Sequence, residues 1–263
     1  MASAKAATDA ALVRKRTRQF LTDKRPRSRQ VLIEKLSRFR TASFAAWSLG
    51  GFPRDLASTG RVPRDIDIVV DDVDPEEAVR LIGGEVLRKT RFGGVHARLG
   101  LWPVDIWSIS QTWAFREGVV RFEAFDDLPK TTFLNIEAIA VELFPRPGKR
   151  ARRVIEHGFF EAIQRRTIEL NLEENPFPGL CVVRSLVFAE RLRFDLGSRL
   201  VSYLSHYMSR IDIEELLDIQ KRHYGNMPLD ADSLNWWRNQ IQHHSRWWPM
   251  LPMKLPASQA SLF

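Results

Sequence analysis

Apolar positions along the first half of the chain fall into short runs bounded by Gly, Pro or Asp: Phe44 to Leu49, Ile66 to Val70, Val95 to Leu99 and Val104 to Ile109. Runs of this length, rich in Ile, Val and aromatic residues, predict strands. The turn near Gly100 makes the last two a hairpin. Ahead of them, Gln30 to Phe39 has helical periodicity and predicts an amphipathic helix leading into the first strand. Pro145-Arg146-Pro147-Gly148 breaks the pattern, and the period becomes helical beyond it. Helices are expected near 152–168, 179–194, 197–210, 212–223 and 232–244. The pattern therefore predicts an α/β (α+β) protein in three parts: an N-terminal arm over 1–30, a small mixed sheet with flanking helices over 31–145, and an all-helical domain over 146–263.

Composition narrows the picture. With 263 residues and an ordinary apolar share, the chain is long enough to bury a proper core. No stretch approaches the 18 consecutive apolar residues of a membrane span. One cysteine, Cys181, excludes an internal disulfide and a Cys-based zinc site, and suits a reducing cytoplasm. The six histidines show no convincing ligand spacing. Charge is uneven: residues 1–30 hold nine Lys or Arg against Asp9 and Asp23, so the arm carries +7 of the chain's +8. It serves either as a holder for a polyanion or as a solvated tail. Arg152, Arg153, Arg165 and Arg166 either line a groove for an acceptor strand or form a solvated helix face. Exposed aromatics can stack bases, yet pairs such as Trp236-Trp237 and Trp247-Trp248 at helical spacing more often make core or dimer contacts.

The candidate chemistry sits in Arg64-Asp65-Ile66-Asp67-Ile68-Val69-Val70. On a strand, residues i and i+2 share a face about 6.5 Å apart. Two carboxylates held so close repel each other, and a divalent cation removes that cost. Asp65 and Asp67 therefore read as a site for two Mg²⁺ ions, for which Mn²⁺ can substitute. Asp105, inside the apolar run Val104-Asp105-Ile106-Trp107, needs a partner, which is either a metal site or a salt bridge with an arginine such as Arg98. Upstream, Gly50-Gly51 predicts a tight turn whose amides can face phosphates, with Arg54 placed to hold a triphosphate. Asp71, Asp72 and Asp74 before Pro75 are explained by helix capping.

Together, Gly50-Gly51-Phe52-Pro53-Arg54-Asp55 and Asp65-Ile66-Asp67-Ile68 resemble the Gly-Gly-x-Val-Arg-Asp and Asp-x-Asp signature of the polymerase-beta nucleotidyltransferase superfamily. More narrowly, they resemble the head domain of bacterial poly(A) polymerases and CCA-adding tRNA nucleotidyltransferases. Phe133 to Ala140 is similar to the family's Asp-Phe-Thr-Ile-Asn-Ala motif, and Arg184 to Leu192 to its Arg-Ala-Ile-Arg-Phe-Ala-x-x-Leu helix, so the resemblance covers about residues 44 to 195. It implies Mg²⁺-dependent transfer of a nucleotide from an NTP or dNTP to a hydroxyl, with Gly50, Gly51, Arg54 and Arg184 binding the nucleotide and Asp65, Asp67 and Asp105 the metals.

Two departures qualify what it implies. Lys130-Thr131-Thr132 stands where the family has two arginines before its Asp-Phe-Thr motif. At the positions of the family's base-selecting template stand Phe177, Pro178 and Cys181, which cannot make those hydrogen bonds. The resemblance further implies that most of the family's tRNA-gripping extension is missing. The expected activity is thus template-independent addition of one repeated nucleotide to a single-stranded nucleic acid or another hydroxyl, in a specialised role such as bacterial antiviral signalling. The alternatives are a tRNA- or protein-modifying toxin, CCA or poly(A) tailing, and a non-catalytic nucleic-acid-binding module on the same fold.

Overall fold

The structure, a computed structural model, describes residues 8–23, 25, 27–58, 63–145 and 151–255. By their contacts they divide into two units: one comprises the chain to Thr132 with Ile136–Gln164, the other Phe133–Asn135 with the chain from Arg165 onward.

In the first unit the chain runs α1 (Ala10–Phe20), α2 (Arg27–Ser37), β1 (Ala46–Leu49), α3 (Gly51–Ser58), β2 (Ile66–Val70), α4 (Pro75–Leu81), β3 (Glu85–Lys89), β4 (Val95–Leu99), β5 (Trp102–Ser108), α5 (Trp113–Arg116), β6 (Ile139–Glu142), β7 (Val154–Glu156) and α6 (Phe159–Arg165). Its strands form a mixed sheet in the order β3-β4-β5-β2-β1-β6-β7, in which β2 and β5 are parallel and the other neighbours antiparallel. Alternation along β2 sorts its side chains: Ile66, Ile68 and Val70 enter one hydrophobic core, while Val69 joins another with Trp47, Leu49 and Ala140. Asp67 has the parity of Val69.

Two expectations are corrected in this unit. Within the basic arm, Ala10–Phe20 is a packed helix rather than a solvated tail. Val13, Thr17 and Phe20 of α1 are buried, Asp9 Oδ1 accepts the Leu12 amide at 2.9 Å as its N-cap, and the Phe20 ring stands edge-on to Phe52 and Trp102. The sequence stretch expected to form a helix over 152–168 supplies instead strand β7 and the shorter α6. Val154 and Ile155 suit the pleated edge beside β6 better than a helix face. The first unit consequently extends to Gln164, beyond the expected boundary at 145. The Asp74 capping is as expected: its side chain accepts the Glu76 amide, with Pro75 in the first turn.

The second unit contains β8 (Thr167–Ile168), α7 (Pro178–Leu192), β9 (Asp195–Leu196), α8 (Ser198–Met208), α9 (Ile213–Tyr224) and α10 (Ala231–Trp247). Short parallel β8 and β9 accompany the four expected helices. Phe133–Asn135 is threaded into this unit: Leu134 bridges Leu170, the Asn135 amide donates to the Glu169 carbonyl, and Asn135 Oδ1 accepts the Glu169 amide. Trp237 is buried with its indole donating to Glu190 at 2.8 Å, whereas Trp247 and Trp248 are exposed.

Candidate active site

Register brings the acids together. Asp67 on β2 pairs with Asp105 on parallel β5, and Asp105 pairs in turn with His96 on β4. Residues paired directly across strands put their side chains on one face, with neighbouring strands about 4.8 Å apart. A row His96, Asp105, Asp67 therefore crosses three strands, and Leu49, the partner of Asp67 on β1, leads straight into the glycine turn. Asp65 lies just before β2, with its carboxylate partly exposed and 3.2 Å from the Arg64 guanidinium.

Asp105 bonds His96 Nδ1. Arg98, its expected structural partner, is instead paired with Glu85 at 2.7 Å. Burial holds the Asp105 pKa above the ordinary carboxylate value; the His96 bond and charge oppose the rise, and the charge of Asp65 adds to it. A carboxyl crowded by another carboxylate in this way is stabilised as an anion by a cation.

His96 has no ligand spacing in the sequence, but the hairpin carries a signal for it. Gly100 takes a left-handed φ of 66° and, with Leu101, closes the hairpin between Leu99 and Trp102. Counting back from that closure pairs 98 with 103, 97 with 104 and 96 with 105.

The glycine turn is built as the sequence suggests, but its hydrogen bonds run differently. Gly50 adopts φ 64°, the left-handed region that glycine enters without strain. Its amide donates to the Ile139 carbonyl at 2.9 Å, so it is committed to the protein. The amides of Gly51 and Phe52, at the first turn of α3, are those that a helix start leaves for an anion. A methyl on Gly51 would stand 3.9 Å from Asp67 Oδ2 and from Arg54 Nη2, which sets the turn, the acid and the arginine side by side.

Arg54 was expected to hold a triphosphate. It is buried, and its guanidinium bonds Asp55 Oδ1 at 2.9 Å and Glu137 Oε1 at 2.7 Å, tying α3 to the segment before β6. Glu137, in the run similar to the Asp-Phe-Thr-Ile-Asn-Ala motif, is thus a participant the sequence did not reveal. Arg184 lies on α7 in the second unit, over the Phe188 ring at 5.9 Å. On the same helix Phe177 is the N-cap residue, Pro178 opens the first turn and Cys181 is buried.

Among the described residues no three His, Cys, Asp or Glu side chains stand gathered as a metal cage. The donors nevertheless fit magnesium, a hard cation that keeps most of its waters and takes one or two carboxylates alongside substrate phosphates. No helix among the described residues is long and apolar enough to cross a membrane.

No family model matches the sequence, and no curated protein matches it. Solved structures do. A CCA-adding enzyme in complex with CTP superposes with a TM-score of 0.62 at 18% identity, over 89% of this chain and 55% of that one. The Thermotoga maritima CCA-adding enzyme complexed with tRNA gives 0.61 at 18%, over 87% and 54%. A tRNA nucleotidyltransferase with a primer tRNA and an incoming ATP analog gives 0.58 at 17%, over 80% and 61%. The chain thus spans little more than half the length of these structures, and its fold is similar to that of CCA-adding enzymes and tRNA nucleotidyltransferases.

Proposed function

We propose that the chain is a metal-dependent, template-independent nucleotidyltransferase. It would move NMP or dNMP from a nucleoside triphosphate to a hydroxyl of a single-stranded nucleic acid or similar acceptor, releasing pyrophosphate. The observation that carries this reading is the register of Asp67 with Asp105 on adjacent parallel strands, next to the Gly50–Gly51 turn.

In this reading Asp65 and Asp67 hold Mg²⁺, with Asp105 a further ligand. Magnesium would supply charge neutralisation at the triphosphate and a lower pKa for the attacking hydroxyl. The Gly51 and Phe52 amides receive phosphate oxygens, and Arg54, through Glu137 and Asp55, keeps the turn in place beside Asp67. The alternative role for Asp105 is to accept the hydroxyl proton. Phe177, Pro178 and Cys181 offer no side chain that can read a base edge, which supports repetition of one nucleotide over ordered addition of C and A. A specialised role such as bacterial antiviral signalling fits that product.

The test is incubation of the purified chain with each labelled NTP and dNTP, Mg²⁺ or Mn²⁺, with and without a single-stranded primer, beside Asp65→Ala/Asp67→Ala. Extension with one nucleotide that the double variant lacks is the expected result. Restoration of CCA on truncated tRNA at ordinary efficiency would defeat the single-nucleotide reading. Strand binding with no turnover of any nucleotide would replace the enzyme by a binding module.

A further inference from the structure

Two arginines distant in sequence meet at the end of the first unit's sheet opposite the glycine turn, and a third lies on a helix that packs on the neighbouring edge strand. Arg152 donates through Nε and Nη2 to the Leu143 carbonyl at 3.0 and 2.8 Å. Arg40 lies over the ring of the next residue, Phe144, at 4.9 Å. Leu143 also donates its amide to the Ala46 carbonyl, which places the pair at the start of β1. The site at Gly50 and Asp67 is at the other end of that strand, four residues or about 13 Å away. Arg18 comes from α1, which packs on β7 just beyond Arg152. Burial holds the Arg152 pKa down, and the fields of Arg40 and Arg18 act in the same direction.

Among the described residues none of the three arginines forms an ion pair. The acid acting on Arg152 is Glu142, buried in β6 and already accepting the Arg153 amide at 3.1 Å. Arg153 itself turns to Asp126 at 2.8 Å. Three guanidiniums against one interior carboxylate are a repulsive arrangement that a bound anion relieves. Guanidinium forks match phosphate oxygens, and the basic excess of the segment that carries Arg18 and Arg40 favours an extended polyanion over a single small one. Residues 10–45 carry eleven Lys or Arg against Asp23 and Glu34, and Asp23 is taken up by Arg25 and Arg29.

We propose that Arg18, Arg40 and Arg152 form a phosphodiester-binding site for a single-stranded nucleic acid, separate from the acids and used without turnover.

The test is fluorescence anisotropy of a labelled 12-nucleotide single strand against the full chain in EDTA, without nucleoside triphosphate, across a salt series. Arg18→Gln/Arg40→Gln removes two charges from exposed positions, and Arg152→Lys keeps the charge of the third while losing its fork. Arg80→Gln/Arg98→Gln makes the same charge loss elsewhere on the first unit, and thermal unfolding checks that all variants fold. At about 100 mM salt, Arg18→Gln/Arg40→Gln is expected to bind roughly tenfold more weakly, with a log–log salt slope flatter by about 1.4, because each phosphate contact on a single strand contributes about 0.7. Arg152→Lys is expected to weaken binding several-fold, and the control pair to change it little. Equal losses in the control, unchanged affinity and slope in the first variant, or no binding by the wild type at low salt would each overturn the site. Displacement of the strand by micromolar inorganic pyrophosphate would assign the arginines to small phosphates and would overturn it as well. Because the measurement needs no catalysis, its failure is distinct from failure of the proposed transferase activity.

Discussion

Asp127 shows how much a single carboxylate takes on where the chain turns before the threaded segment. It accepts the amides of Glu123 and Ala124 at 2.9 and 3.0 Å and the Lys130 ammonium at 2.7 Å. Chiefly through the Lys130 bond, these hold its pKa at about 2, below the ordinary 3.8. A depressed folded-state pKa means that the contribution to stability is complete above the unfolded value and is lost as pH falls through the folded one. The stability gap between wild type and Asp127→Asn, read by urea unfolding, should therefore be constant near neutrality, narrow below about pH 4 and close near pH 2. Arg54 and Glu137 make a deeper pair. Removing Glu137 leaves the buried Arg54 with Asp55 as its remaining partner, so Glu137→Ala should cost about 1–3 kcal/mol in the same measurement. If Arg54 braces the glycine turn, transfer activity should fall in that variant even at temperatures where it remains folded.

Among the elements, those that follow from side-chain shape were readable in advance. The β-branched run of β2 and the hairpin β4–β5 declared themselves because alternation and a turn glycine are local properties. So did α7 to α10, whose apolar stripes recur at helical spacing. What was hidden depends on partners far along the chain. Val154 and Ile155 become a strand because β6 offers a free edge, and no local signal near residue 154 reports that edge. In α1 the stripe Val13, Thr17, Phe20 was masked by the surrounding charge. At the site, the two aspartates and two glycines were legible as a motif, whereas the Glu137 partner of Arg54 is 83 residues distant and was not. Two measurements bear on these elements. Phe20→Ala should cost about 3–5 kcal/mol, as loss of a packed aromatic does, and would do far less if α1 were a loose arm. Gly50→Ala forces a side chain into a left-handed backbone and should cost about 1–2 kcal/mol; an unchanged unfolding midpoint would contradict the turn.

At the scale of the whole molecule, the covalent path does not follow the division into units. Phe133–Asn135 belongs to the second although residues on both sides belong to the first. Cutting the chain after Gln164 therefore does not release an intact first unit. It strands Phe133 and Leu134 without Leu170, Asn171 and the Tyr203 ring, 5.0 Å from that of Phe133 in the full chain. A fragment of residues 1–164 should bind a dye specific for exposed apolar surface and unfold at a lower temperature than the full chain. Equal stability would show that the threaded segment matters little.

The row His96, Asp105, Asp67 has one more implication, for error rather than for activity. Strand side chains alternate strictly, so slipping β2 by one residue would turn Asp67 towards the interior occupied by Ile66 and Ile68 and put those apolar groups where the acids belong. A sheet misassembled in this way loses its apolar burial together with the row of acids. The pairing that gathers the acids is the same pairing that hides the hydrocarbon, so a chain that passes the test of folding has already aligned the three side chains.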